Sequence, residues 1–148
     1  MKKLFIYYSH SGNGELVAEK MKEFGYDIRR IKPKKDLSKK FFFAVMKGGF
    51  LAGINHKSKL IDYDNDISEY DEIAIGSPIW NGKLSSPINT VLSLTNLCDK
   101  KLNFILYSGG GSAPKAIKKL KNLYNCQIIE LKEPKKYLDE LDKLNNLN

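Results

Sequence analysis

Apolar runs alternate along this chain with polar turns and with segments whose apolar residues recur at helical spacing. Five runs are typical of β-strands, and they cover residues 3–8, 26–31, 72–76, 102–107 and 127–131. The second and fifth runs carry charged or amide side chains among their apolar residues, as strands at the edge of a sheet do. The other three are nearly continuous apolar runs, which favours strands buried on both faces.

Helical spacing follows most of these strands. An apolar face recurs at three- and four-residue intervals, as expected of helices that cover a sheet. Ser86 and Pro87 are typical of an N-cap and a first helical position, Gly25 of a helix C-terminus, and Pro134 of a helix start. The predicted faces are Leu16, Val17, Met21 and Phe24; Ile88, Val91, Leu92 and Thr95; Ala116, Ile117, Leu120, Leu123 and Tyr124; Tyr137, Leu138, Leu141 and Leu144. Alternating strands and helices predict an α/β fold, with a parallel sheet covered by helices on both faces.

The chain length of 148 residues fits one domain, residues 1–148, and the formal net charge is +8. Most of that charge lies in residues 32–59, where eight lysines face the single acid Asp36, a local charge of +7. Residues 32–64 are therefore predicted to form a basic, less regular insert. Phe42, Val45, Met46, Gly49 and Phe50 recur there at helical spacing. The insert is either a core-facing helix with solvated lysines or a docking surface for an acidic partner or an anionic membrane.

Composition excludes several classes of protein. Cys98 and Cys126 form no CxxC motif and are expected to be small buried side chains in a reducing compartment. With only His10 and His56 besides, no metal site is expected. The N-terminus lacks the apolar run of a signal peptide, and no stretch reaches the ~20 apolar residues of a membrane span. A cytoplasmic protein is therefore expected. The lysine-rich segment contains no nucleic-acid recognition motif, so a nucleic-acid partner is not expected.

Three polar loops carry the chemistry. The first loop follows the first strand and leads into a helix, whose leading amides have no intrahelical partner and whose dipole attracts an anion. Hydroxyl donors and glycines there allow close backbone approach, so the loop predicts an anion site, most simply for a phosphate. Its residues are Ser9, His10, Ser11, Gly12, Asn13 and Gly14. His10 is expected to face solvent.

The second and third loops follow the two other central strands. The second loop is Ser77, Pro78, Ile79, Trp80, Asn81, Gly82 and Lys83, and the third loop is Ser108, Gly109, Gly110, Gly111 and Ser112. Because parallel strands present their carboxyl ends at one edge, all three loops are expected to converge on one ligand site there.

At these motifs the chain resembles a flavodoxin over nearly its whole length. The first loop is similar to the family's [ST]-x-[ST]-G-[NT]-[ST] phosphate loop, except that Gly14 stands where a hydroxyl residue is usual. Residues 70–82 are similar to the family's YDxIxxGxPxWxG strand and ring-binding loop, and residues 108–112 to the loop after the fourth strand in short bacterial members.

The resemblance implies a three-layer sandwich whose five-stranded parallel sheet has the order 2-1-3-4-5. It implies FMN as a non-covalent cofactor, with all residues of the first and second loops and Ser108 to Gly111 as its contacts. Trp80 would face the isoalloxazine ring, and Gly109 to Gly111 would leave room for the ring edge and donate amides to it. The implied activity is electron transfer between redox proteins. The positive charge, with Lys83 beside the ring, would suit partners with acidic surfaces.

Two other functions are compatible with such a sequence. A flavoenzyme could use the same fold to reduce quinones, flavins or nitro compounds with NAD(P)H, since a nicotinamide stacked on the ring needs no further motif. A receiver domain has acidic residues where this chain has Ser9 and Ser77, and a P-loop motif is missing, so a non-flavin binding module is disfavoured. The sequence leaves the oligomeric state open.

Overall fold

A computed structural model describes residues 1–36, 40 and 57–147 of the chain. Its sheet contains the strands β1 (Lys3–Tyr7), β2 (Asp27–Arg30), β3 (Glu72–Trp80), β4 (Lys83–Leu84), β5 (Lys101–Ser108) and β6 (Cys126–Lys132). Five strands are parallel in the order β2-β1-β3-β5-β6, and the short β4 pairs antiparallel with β3. This confirms the predicted order, because β5 and β6 are the fourth and fifth parallel strands.

The helices cover both faces of the sheet, which confirms the predicted three layers. They are α1 (Asn13–Glu23), α2 (Ser86–Leu94), α3 (Pro114–Leu123) and a 3-10 helix (Leu138–Asn146). One face packs Leu4, Ile73 and Ile75 against Ile88 and Leu120, from α2 and α3. On the opposite face, β1 and β5 pack against α1 and the 3-10 helix in a second core, whose members include Phe5, Ile105, Val17, Met21 and Leu144.

The structure corrects several helix predictions. Ser85, not Ser86, is the N-cap of α2, so Pro87 is its second residue. Leu123 and Leu138 are 60% and 62% exposed, so neither is a core residue. The final helix begins at Leu138 instead of Pro134 and is a 3-10 helix. Residues 134–137 instead form a turn closed on the Glu133 carbonyl, which accepts the amides of Lys136 and Tyr137.

The second loop is also corrected. Residues 77–80 continue β3 instead of leaving it, and only Asn81 and Gly82 form a turn before β4. Pro78 is tolerated in a central strand because β1 pairs with β3 only as far as Gly76, so the missing amide removes no bond between these two strands. The strand therefore carries the predicted loop residues into the interior.

Apart from residue 40, the basic insert is described only at its two ends. These ends run side by side, because Lys34 donates its amide to the Lys59 carbonyl and Ile61 donates to that of Lys32. The predicted helix around residues 42–50 lies outside the described residues.

Both cysteines are free thiols; Cys98 is exposed and Cys126 partly buried, so the expectation that both are buried is wrong. No helix within residues 1–36, 40 and 57–147 is both long and apolar enough to cross a bilayer.

Candidate functional site

The three predicted loops meet at the carboxyl edge of the sheet. β1 ends beside Gly76 of β3, and Pro78 of β3 lies beside Tyr107 of β5. The first loop, the turn at Asn81 and Gly82, and the third loop therefore leave three adjacent strands at the same edge, with the turn further out because β3 runs on to Trp80. This is the position at which open parallel sheets bind ligands.

Ser9 organises the first loop. Its buried hydroxyl oxygen accepts the amide of Gly12 at 3.3 Å and that of Gly14 at 3.1 Å. Gly12 is the N-cap of α1 and has a φ of 100°, a left-handed conformation that favours glycine. The loop therefore folds tightly onto the start of α1, where the helix dipole favours an anion.

Gly14 leaves no room for a side chain, which explains its departure from the family motif. A Cβ atom there would lie 2.6 Å from Ser9 Cβ, 2.8 Å from the Tyr107 hydroxyl oxygen and 2.9 Å from Tyr7 Cδ2. The Tyr107 hydroxyl donates to the carbonyl of Tyr8, so it occupies this space in a fixed position. Burial raises the pKa of Tyr107 well above its ordinary value, which keeps that hydroxyl a donor.

The expectation that His10 faces solvent is wrong. Its side chain is only 13% exposed, and Nδ1 lies 3.4 Å from Oδ1 of Asp36. The same carboxylate oxygen accepts the buried Tyr8 hydroxyl at 2.9 Å, and burial together with this bond raises the pKa of Tyr8. The only acid of residues 32–59 thus ties the start of the basic insert to the first loop.

The residues of the predicted second loop form a hairpin of β3 and β4, and one side of this hairpin is buried. Ser77 is fully buried, and its hydroxyl bonds with the Ser85 hydroxyl at 3.0 Å and accepts the Ser85 amide at 3.1 Å. Trp80 is 3% exposed and meets the Tyr8 ring edge-on, with 5.9 Å between centroids. Pro78 and Ile79 are buried with them. The structure therefore places all four inside the protein, beneath the site rather than on its surface.

The turn itself is at the surface. Asn81 and Gly82 have φ values of 51° and 74°, the left-handed pair of a tight hairpin turn. Lys83 follows directly in β4, and Lys115 of α3 passes the turn, with Cδ 3.9 Å from the position of a Cβ on Gly82. This turn is the part of the second segment that a ligand at the sheet edge would meet.

The third loop provides open backbone. A Cβ on Gly109 or Gly110 would meet no atom within 4 Å. The Gly111 amide donates to the Ser108 hydroxyl oxygen at 2.9 Å, which holds the loop in a closed turn. Gly111 backs onto Lys132, whose Cβ would lie 2.9 Å from a Cβ at that position. The loop thus leaves open space beside Gly109 and Gly110.

Sequence reasoning missed the turn after β6, residues 133–137. The Glu133 amide donates to the Ser108 carbonyl at 3.1 Å, and the Lys135 amide donates to Asn13 Oδ1 at 2.9 Å. The turn therefore joins the third loop to the first. Lys135 lies on this turn, near Gly12, and Lys132 ends β6 just before it, near Gly111. Together with Lys115 of α3 and Lys83 of β4 at the Asn81-Gly82 turn, they form a basic rim around the site. The predicted topology could have indicated this turn, because β6 is parallel to β5 and therefore ends at the same edge of the sheet.

Known proteins share both the sequence pattern and the fold of this chain. The sequence model of the family described as Flavodoxin matches residues 2–146. The chain therefore belongs to the flavodoxin family. No curated protein matches it significantly.

Solved structures share the fold. A candidate flavoprotein from Bacteroides eggerthii DSM 20697 is 24% identical, with a TM-score of 0.76 over 95% of this chain and 98% of that one. A flavoprotein from Lactobacillus acidophilus NCFM, solved in complex with FMN, is 20% identical, with a TM-score of 0.71 over the same shares of the two chains. A candidate flavoprotein from Bacteroides uniformis ATCC 8492 is 24% identical, with a TM-score of 0.70 over 86% of each chain.

Proposed function

We propose that this protein binds FMN without a covalent bond at the carboxyl edge of the sheet and carries electrons between redox proteins. The observation that carries the proposal is the meeting of the anion-binding first loop, the Asn81-Gly82 turn and the open third loop at one edge. The family membership and the FMN complex of the Lactobacillus flavoprotein support it.

The residues present fit the parts of FMN. The phosphate would lie at the first loop, where Gly12 brings the backbone to the start of α1. The ring edge would lie against Gly109 and Gly110, whose outer side is open. Trp80 would support the floor of the site, because its indole is buried and packs against the Tyr8 ring. The isoalloxazine ring would lie between the third loop on one side and the Asn81-Gly82 turn on the other.

Bound FMN would supply the redox chemistry, and the protein would set its environment. The first loop would hold the phosphate, and the glycines of the third loop would donate backbone amides to the polar edge of the ring. The basic rim would add positive potential around the ring, which favours the more negative reduced state of a flavin.

The direct test is titration of the purified protein with FMN and with riboflavin, followed by visible absorption and tryptophan fluorescence. We expect one FMN per chain, a yellow complex and quenched Trp80 emission, because the indole lies beside the site. Stepwise reduction of the complex and an assay of NAD(P)H oxidation with a quinone then separate a carrier from an enzyme. A protein that stays colourless with FMN contradicts the proposal.

The redox partners are proposed to be cytoplasmic proteins with acidic docking surfaces. The support is the basic rim, in which Lys115 is exposed beside the Asn81-Gly82 turn. The two free thiols fit a reducing compartment.

Salt dependence tests the docking surface. Electron transfer from the reduced protein to an acidic rubredoxin should slow as ionic strength rises, because salt screens the attraction to the rim. Transfer to basic cytochrome c should accelerate over the same range, which makes it the matched control. Stopped-flow kinetics measures both, and an equal response of the two acceptors would contradict an electrostatic docking surface.

A further inference from the structure

We propose that Lys135 is a cationic ligand of the flavin phosphate, so that the protein selects the phosphorylated flavin by charge as well as by backbone amides. This inference rests on the proposed FMN site. It concerns a residue that is distant from the first loop in sequence and belongs to no loop motif of the chain.

The position of the ammonium group is the first support. Lys135 Nζ lies 3.3 Å from the Ser11 carbonyl oxygen, to which it donates. It would lie 3.6 Å from a Cβ on Gly12, and the side-chain Cδ would lie 3.5 Å from it. The charge is therefore held directly against the N-cap of α1. An ammonium has three donors, and the bond to Ser11 uses one of them, which leaves two for phosphate oxygens.

The backbone of Lys135 is fixed independently of its side chain. Its amide donates to Asn13 Oδ1 at 2.9 Å, and the Asn13 Nδ2 donates to the Ser11 hydroxyl oxygen at 3.3 Å. The neighbouring Glu133 amide is bonded to the Ser108 carbonyl. Two anchors therefore set the turn on the site, so the lysine is held there before a ligand arrives.

A matched control is the next residue. Lys136 carries the same charge on the same turn, but its ammonium lies 5.5 Å from the centre of the Tyr137 ring. Replacing either lysine by methionine removes one charge and retains an unbranched apolar stem. Because both side chains are exposed, neither change removes core packing.

The experiment compares the dissociation constants of FMN and riboflavin for the wild type, Lys135→Met, Lys135→Arg and Lys136→Met, by flavin fluorescence quenching. Lys135→Met should weaken FMN binding about tenfold, as expected for one lost charge-assisted contact, and leave riboflavin binding unchanged. Lys135→Arg should retain most of the preference, and Lys136→Met should retain all of it. Added salt should reduce the preference of the wild type more than that of Lys135→Met.

Two results would overturn the inference alone: an FMN affinity of Lys135→Met equal to that of Lys136→Met, or a parallel loss of riboflavin binding. A wild type that binds neither flavin would instead overturn the proposed function, and this inference with it.

Discussion

Replacing Gly14 by serine, the residue type that the family motif favours, is expected to lower the free energy of unfolding by about 2–3 kcal/mol. The reason is overpacking, since a Cβ there would lie 2.6 Å from Ser9 Cβ and 2.8 Å from the Tyr107 hydroxyl oxygen. FMN affinity should fall as well, because Ser9 holds the amides of Gly12 and Gly14 in the first loop. Urea denaturation and flavin titration measure the two effects.

Two variants make this prediction specific. Gly110→Ser introduces the same side chain into open space, so it should change stability by less than about 0.5 kcal/mol. Combining Gly14→Ser with Tyr107→Phe removes one of the atoms in conflict, so the double variant should lose less stability than the two single losses added together. Equal stability of Gly14→Ser and Gly110→Ser would show that the loop relaxes at no cost.

Glu72→Ala is expected to destabilise the fold by about 3 kcal/mol, because it leaves buried polar partners unpaired. Glu72 is 2% exposed at the start of β3. Its Oε1 accepts the Tyr26 hydroxyl and, at 2.7 Å, the Asn103 amide nitrogen, while Oε2 lies 3.3 Å from Lys101 Nζ. Removing the carboxylate also opens a cavity next to Asn103, whose Oδ1 has no partner among the described residues.

The control is Glu69→Ala, which removes a carboxylate that pairs with Lys2 in solvent and should change stability little. Glu72→Gln keeps one acceptor oxygen and should fall between the two. Thermal and urea denaturation of the three variants gives the order. A Glu72→Ala protein as stable as Glu69→Ala would show that the buried network contributes nothing to the fold.

The strands of the parallel sheet could be predicted because each one is marked by its own run of apolar residues. Apolar runs gave β1, β5 and β6 to within a residue or two, and polar side chains placed β2 and β6 at the edges. The glycines and hydroxyls of the first and third loops likewise carry their own signal. Strand order came from the family resemblance, and the register confirms it.

The second segment was misplaced because its strand depends on a tertiary contact. Pro78 is typical of a loop, yet β3 continues through it because Ser77 and Pro78 pair with Leu106 and Tyr107 of β5. The strand carries Trp80 into the core against Tyr8, whereas the family resemblance placed it against the flavin ring.

Lys135 could not be predicted for a similar reason. Its contacts to Asn13 and Ser11 join residues 122 and 124 positions apart. A lysine in a charged segment carries no sign of such a contact, so only the folded chain shows it.

The Glu72 cluster lies at the amino edge of the sheet, and the three loops lie at the opposite edge. The Glu72 cluster therefore contributes to folding without touching the candidate site, whereas Gly14 serves both the packing and the site. Substitutions in the loops away from Gly14 can therefore change the candidate site while the cluster that secures the architecture stays intact.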